Sequence, residues 1–521
     1  MKKDYFILFI LIFYLFFQLS TLDYGFKIKD IQYFKNISLN SEYIKSFTQK
    51  KIIKNKENIN SQSKSWKYRY KLYSVNADEM MPIMSLSKIN IKKGKLDPQL
   101  YKYGGAFIYP LGFYYYSLAK INLIDDINFI SIIKNEKLMD EIYFNGRLFI
   151  LISFIFSALI FYNSLKLITK KKHAIIFTLI YLFVPSSIMY SQIIKPNWYA
   201  LLWFNLSIFF GLKYLLKKKK KYFLFLVSVF LGLAIGSSIL FIPSLFFILF
   251  FIYFKKDEEI SKKKIIFLVT VSFLVFFITN PYILINFVNF FNEISDEHTW
   301  VIQGIKLKNI ILFFHNSFFL GFGLILSLTL FYYLLNGSKK LIGSTRLIEK
   351  RISIGIFFLI LFGAIISGFD DWHIQFRYIP YILPISLIYL AHKIKNYKFI
   401  FFIFFATILQ MIPLKLAFYD ENSSKFSTRL NSANWINKNI IEKEKSVCNK
   451  DFSPFNFPPV NFNKIIIKKK CDYEVHVLRQ PKKISGYNEE KIVKIFEPRY
   501  QFKKISLVFS HVNPLIIIVK K

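Results

Sequence analysis

The sequence is short of cysteine, of acidic side chains and of charge inside its apolar runs. Its 521 residues contain two cysteines, Cys448 and Cys471, with no metal-type CxxC spacing. The seven histidines are too few and too scattered for a metal motif. Asp and Glu number 32 against 71 Lys and Arg, which leaves a formal charge of +39. There is no internal repeat and no low-complexity linker, and no small-residue cleavage site follows the N-terminal apolar run.

Apolar sequence is what the chain has in abundance: 54% of residues are hydrophobic and 19% aromatic. Nearly uncharged runs of roughly 17 to 22 residues recur, the length a bilayer core demands of a helix. That makes the chain a polytopic membrane protein. Most Lys and Arg residues between 160 and 400 gather in short clusters between these runs, the positive-inside pattern. A nucleic-acid groove would interleave them with stacking aromatics, so no nucleic-acid partner is expected. The near absence of charge in the middle of the runs argues against an ion-coupled transporter.

Basic clusters at 166–172, 213–221, 255–264, 339–351 and 393–398 agree on one orientation. The run 5–19 reads as an uncleaved signal anchor with its N-terminus inside. Further spans are expected at 148–165, 173–192, 198–216, 222–237, 239–254, 265–283, 311–334, 352–369, 378–395 and 398–417. The fold class is thus all-α and polytopic, with about eleven transmembrane helices, the N-terminus in and the C-terminus out. The Gly- and Tyr-rich stretch 103–123 is long enough to span, but spanning would turn Lys166 and 170–172 outward. It is therefore read as a juxtamembrane helix lying in the interface.

Four domains follow from this: a signal anchor at 1–20, a first exported loop with juxtamembrane helices at 21–146, a transmembrane core at 147–417, and a small exported α/β domain at 418–521. In the last, 432–437 reads as a short helix, 454–459 as a Pro-rich loop, and 473–478 and 515–519 as strands. Both cysteines fall in this tail, where an oxidising compartment would preserve a disulfide. Sequence leaves open whether they bond or stay two thiols, since their Cα separation is unknown.

Asp78 and Glu79 stand at the head of an amphipathic, Met-rich stretch in the first exported loop. A carboxylate there can remove a proton from an acceptor hydroxyl as a bond forms. The plainer reading is a solvated loop acid, like those at Asp125-Asp126, Asp140-Glu141, Asp296-Glu297 and Asp370-Asp371. Arg147, Lys195 and Arg377 each sit at the external end of an expected span, where a lipid phosphate needs cations. Their plainer reading is snorkelling to the interface. His373 and His298 are external as well, and either could assist.

Taken in chain order, several stretches resemble one family. They are Asp78-Glu79, Tyr109-Pro110, Gly146-Arg147-Leu148, Tyr190 through Lys195-Pro196-Asn197, Gly232 through Gly236, Thr279-Asn280-Pro281-Tyr282, Arg377 through Pro380 with Pro384, and Ala433 through Ile436. The set resembles the polyprenyl-phosphate-sugar-dependent glycosyltransferases of the GT-C class, which include protein O-mannosyltransferases and lipid A aminoarabinose transferases.

This resemblance implies transfer of a sugar from a polyprenyl-phosphate donor to a hydroxyl of a glycan, lipid or protein on the external face of the membrane, by a single inverting displacement. It makes Asp78 the base with Glu79 beside it, and Arg147, Lys195 and Arg377 partners of the donor phosphate, with His373 near them. It leaves a divalent metal open and assigns no metal ligand.

Two departures stand out: Asn197 where many relatives carry an aspartate, and Ser237-Ser238 where many carry Thr-Lys. They keep a catalytically inactive relative in play. A flippase of a lipid-linked saccharide is the other alternative, though it would line a path through the membrane with charge. The orientation has a direct test. Cysteines introduced at Ser63 and Ser485 should be labelled from outside and one at Ser338 should not; the reverse at Ser338, or silence at Ser63, overturns it.

Overall fold

The computed structural model describes residues 4–27, 74–216, 221–253, 262–298, 305–336, 344–369, 376–449, 457–461, 471–478, 491–499 and 512–521. The chain divides into two compact units, one comprising 1–18, 88–113 and 148–411, the other 19–87, 114–147 and 412–521.

The apolar runs are helical. Among the described residues, Glu136–Lys166, Pro196–Leu216, Leu307–Asn336 and Tyr397–Glu421 are long and apolar enough to cross a membrane. Tyr5–Leu19, Lys221–Ser237, Ile352–Gly368 and Ile382–Lys393 are shorter apolar helices. The expected spans differ from these helices for local reasons. The stretch 173–192 breaks after Phe183, because Val184 is extended (φ −58°, ψ 142°) ahead of Pro185, which opens the separate helix Pro185–Tyr190. The stretch 265–283 ends at Thr279, Asn280 leaves the helical region, and Pro281 opens Pro281–Ile285. The span expected to start at 148 belongs to a helix that starts at Glu136, so Arg147 lies in its interior.

Inside Leu307–Asn336, ten residues, Phe314–Gly323, take the wider π form. Gln410 satisfies backbone groups on this segment and just beyond it: its Nε2 donates to the Phe319 carbonyl at 2.5 Å and its Oε1 accepts from the Leu324 N–H at 2.9 Å. Gly323 leaves the segment at φ 108°, a conformation that favours glycine. At the start of Tyr5–Leu19, the Asp4 carboxylate accepts from Lys166 Nζ at 2.6 Å, Lys171 Nζ at 2.5 Å and the Tyr162 hydroxyl at 3.0 Å. The hydrogen-bonded ammonium of Lys166, followed by that of Lys171, holds its carboxyl well below the usual carboxylate range.

Three of the glycine- and asparagine-bearing stretches meet in the first unit. The Gly104 N–H donates to the Ser237 carbonyl at 3.1 Å, and Tyr103 bridges Ser238 in antiparallel register. Asn280 Oδ1 accepts from the Gly105 N–H at 2.6 Å, while its Nδ2 donates to the carbonyls of Gly236 at 3.1 Å and Phe276 at 2.9 Å. A Cβ at Gly104 would overlap the Gly236 carbonyl oxygen, and one at Gly105 the Thr279 carbonyl oxygen. The helix Gly105–Lys120 is thereby joined at its first turn to the ends of Lys221–Ser237 and Lys262–Thr279. Residues Ser237 and Ser238, which stand where the resemblance expects Thr-Lys, serve this joint with their backbone.

Among the described residues of the second unit, the tail forms a four-stranded sheet of β1 (Val447–Asn449), β2 (Tyr473–Leu478), β3 (Ile492–Phe496) and β4 (Leu515–Lys520), in the order β1-β2-β4-β3. β1 and β2 are parallel and the other pairings antiparallel. The helix Thr428–Ile436 packs on β3 and β4, with Trp435 6.4 Å from Phe496. Cys448 and Cys471 are disulfide-bonded with Cα atoms 5.7 Å apart, which settles the open alternative in favour of the bond. On the chain-entropy estimate a loop of this length stabilises by about 3 kcal/mol.

Replacing Asn280 by Ala takes one partner each from the Gly105 N–H and the Gly236 carbonyl, at about 1–3 kcal/mol for each buried group left unmade. The melting temperature of Asn280→Ala in detergent should fall clearly, and that of Asn280→Asp, which keeps the acceptor, should fall less. A wild-type melting temperature for Asn280→Ala would show that the joint contributes nothing.

Candidate active site

The carboxylates Asp78 and Glu79 lie in a tightly wound turn of the second unit. Ser74 Oγ accepts from the Asn76 N–H at 3.1 Å, Asn76 Oδ1 accepts from the Asp78 N–H at 3.2 Å, and the Asn76 carbonyl accepts from the Glu79 N–H at 3.1 Å. These bonds open the single 3₁₀ turn Ala77–Glu79, which leads into the helix Met80–Leu86 with Met80, Pro82, Ile83 and Ser85 buried. Consecutive residues of a 3₁₀ turn point roughly 120° apart. The two acids therefore diverge, with Glu79 fully buried and Asp78 partly exposed.

Glu79 meets Arg147 in a side-by-side fork, Nε to Oε1 at 2.9 Å and Nη2 to Oε2 at 2.8 Å, and neither side chain has exposed surface. Arg147 Nη1 donates to the carbonyls of Leu22 at 2.7 Å and Tyr24 at 3.0 Å. Its Cζ lies 3.6 Å from the centre of the Tyr24 ring. The Ser74 hydroxyl donates to Glu79 Oε2 at 2.5 Å, and the Tyr24 phenol also bonds Glu79. Burial pushes the Tyr24 phenol well above its ordinary pKa, so it stays a donor. The Tyr143 hydroxyl donates to Met80 Sδ at 3.3 Å, tying the start of the short helix to Glu136–Lys166. Sequence reasoning puts Arg147 against a donor phosphate, but here the fork that would clasp a phosphate is filled by the Glu79 carboxylate.

Lys195 and Arg377 belong to the first unit, and both are largely buried, each 9% exposed. Lys195 ends the tight turn between Pro185–Tyr190 and Pro196–Leu216, its N–H donating to the Ile193 carbonyl at 2.7 Å. Arg377 sits in the 3₁₀ turn Phe376–Tyr378, and its Nη2 donates to the Tyr378 hydroxyl at 2.7 Å. The Asn197 side-chain amide donates to the Arg377 carbonyl, so the residue two beyond Lys195 grips the arginine's turn. Aromatic contacts of Trp198 with Tyr190 at 4.8 Å and with Phe376 at 6.4 Å brace the same place. Gly321 of the π segment packs on Phe376, where a Cβ would come within 2.9 Å.

His373 lies outside the described residues, as do Asp370 and Asp371. Among the described residues no three His, Cys, Asp or Glu side chains gather as a metal site would require. Sequence reasoning misses Ser74, Tyr24, Tyr143 and Gln410, whose partners lie 5, 55, 63 and 91 residues away in the chain, Tyr24 through Glu79. Of these, only Ser74 is close enough for a local capping pattern to have found it.

Residues 135–283 match the family model described as dolichyl-phosphate-mannose-protein mannosyltransferase. That segment contains Arg147, Lys195, Asn197 and two of the three stretches of the joint, those of Gly236 and Asn280. Among curated proteins nothing matches the chain. Among solved structures, ArnT from Cupriavidus metallidurans bound to undecaprenyl phosphate is similar at 10% identity and a TM-score of 0.44, over 88% of this chain and 96% of that one. The archaeal oligosaccharyltransferase AglB from Archaeoglobus fulgidus, in complex with an inhibitory peptide and a dolichol-phosphate, is similar at 12% identity and a TM-score of 0.41, over 76% of this chain and 59% of that one.

Removing one partner of a fully buried ion pair strands the other charge, at about 3–5 kcal/mol. Glu79→Ala and Arg147→Ala should each sharply lower the melting temperature of the detergent-purified protein. The double variant Glu79→Leu with Arg147→Met leaves no unpaired charge and should recover part of that loss. Additive losses in the double variant would show that the two side chains do not act as a pair.

Proposed function

We propose that the protein is a multi-pass membrane glycosyltransferase that moves a sugar from a polyprenyl-phosphate donor to an acceptor hydroxyl on the external face of the membrane. The observation that carries this reading is the family match over 135–283. The divergence of the two carboxylates supports it, since Glu79 is committed to Arg147 and Asp78 is left partly exposed at the head of a rigid turn. The arrangement of about eleven spans with the C-terminus outside, and the division at 20, 146 and 417, remain part of the proposal. They rest on the basic clusters.

In the proposed reaction the acceptor oxygen attacks the anomeric carbon from the face opposite the phosphate. A bond forms from that oxygen to the sugar carbon, and the bond from the carbon to the phosphate oxygen breaks. The acceptor proton passes to the Asp78 carboxylate, and the polyprenyl phosphate leaves as an anion, which needs no strong acid. Lys195 and Arg377 are assigned to that phosphate, where cations stabilise the charge that grows as the bond breaks. Single displacement inverts the sugar carbon. The Glu79–Arg147 pair is assigned a positioning role, holding the turn from which Asp78 projects. Acceptors of glycan, lipid or protein type all offer the required hydroxyl, and the donated sugar is left general.

The departures at Asn197 and Ser237-Ser238 favour the inactive alternative only if those positions supply charge. Here Asn197 donates to the Arg377 carbonyl, and Ser237 and Ser238 serve the joint through their backbone.

Asp78→Asn keeps the shape and removes the basic oxygen, so transfer should slow by about 10² to 10⁴ while the donor still binds. Glu79→Gln should act mainly through stability. Arg377→Ala should weaken donor binding and turnover together, because its partner is the phosphate in ground and transition states alike. Sugar transfer at the wild-type rate by normally inserted Asp78→Asn would falsify the mechanism.

A further inference from the structure

The second unit holds a polar cavity of about 300 Å³ that shares no residue with the groups assigned above. Its wall is made by the residues that follow two membrane helices. Ser20, Thr21, Asp23 and Lys27 come just after Tyr5–Leu19, and Ser424 comes just after Tyr397–Glu421, whose own Tyr419 forms part of the rim. Behind it, Lys415 Nζ donates to the Thr21 hydroxyl at 2.6 Å, and that lysine is 9% exposed. One cation, Lys27, therefore stands at this cavity with one carboxylate, Asp23, and several hydroxyls line the wall. That set of groups binds a phosphoryl oxygen well: ammonium for charge and hydroxyls as donors.

The helix leading to the rim distinguishes between possible phosphates. Ile412 and Tyr419 of Tyr397–Glu421 are 39% and 61% exposed, and their spacing of seven places them on one face. An apolar face that ends at a hydroxyl-rich cavity bearing one cation and one carboxylate suits a molecule with an acyl chain and a zwitterionic phosphate headgroup. We propose that this cavity seats the phosphodiester headgroup of a membrane phospholipid, with its acyl chain along the Ile412 to Tyr419 face. Lys27 meets the phosphate at the mouth, and Asp23 meets an ammonium or hydroxyl at the far end of the headgroup. The proposal stands independently of the transferase reading.

Native mass spectrometry of the full-length protein, delipidated in detergent and titrated with dioleoylphosphatidylethanolamine, reads the site directly. The wild type should retain one lipid at low occupancy, and Lys27→Glu should weaken that binding by about tenfold, the effect of losing one charge-assisted contact. Lys27 is exposed, so the variant's melting temperature should match the wild type. Ser424→Ala should weaken binding by a smaller factor. Equal affinity in Lys27→Glu and the wild type overturns the site. Equal retention of dioleoylglycerol, which has no phosphate, overturns the headgroup assignment. Displacement of the lipid by millimolar inorganic phosphate overturns the role of the apolar face.

Discussion

A guanidinium taken wholly out of water must have its charge and its donors answered by the protein, and in the second unit that requirement falls on Arg147. Glu79 answers the charge, the carbonyls of Leu22 and Tyr24 take two further donors, and the Tyr24 ring covers the face of the fork. Two segments distant in sequence are thereby fixed to one side chain on a third. Such a pair is weak evidence for stability, since apolar residues of the same volume can do as well. What it fixes is position. The carboxylate of Glu79 is held from the Glu136–Lys166 helix, and the turn that carries it also carries Asp78 in one orientation. A base that must stand within hydrogen-bond reach of a hydroxyl depends on that kind of support.

In the first unit the same accounting is done by backbone groups. The Gly104-Gly105 pair approaches the ends of two other helices so closely that no side chain fits, and the Asn280 amide supplies what the helix ends lack. Helix termini leave backbone donors and acceptors unmade, and within a bilayer or at its edge few waters are at hand to take them. A residue with two donors and an acceptor in one plane is well suited to such a place.

Much of this could be read from the residues. The apolar runs mark most of the helices, and the period-two stretches 473–478 and 515–519 fall on β2 and β4. The glycine and asparagine stretches that carry the resemblance meet in the joint of the first unit, a role their sequence does not state. What sequence cannot give is the partner of a long side chain. Arg147 beside Leu148 reads as the cationic entry to a span, because hydropathy falls there. The helix nevertheless continues back to Glu136, and the partner sits 68 residues away. The breaks at Val184 and Asn280 precede prolines and were locally visible, but hydropathy averaged over a span conceals them. The π segment is invisible for a different reason, as it depends on Gln410 from another helix.

The asparagine at 197, where the resemblance expects an aspartate, has a physical consequence beyond a missing charge. A carboxylate cannot donate to a carbonyl, so an aspartate in this position would face the Arg377 carbonyl with like partial charge and loosen the turn. The amide donates instead and keeps the turn in place. It also adds no negative charge beside Lys195 and Arg377, the two cations to which the proposed mechanism assigns the departing phosphate. In that proposal the position contributes by holding the arginine's turn, not by adding charge.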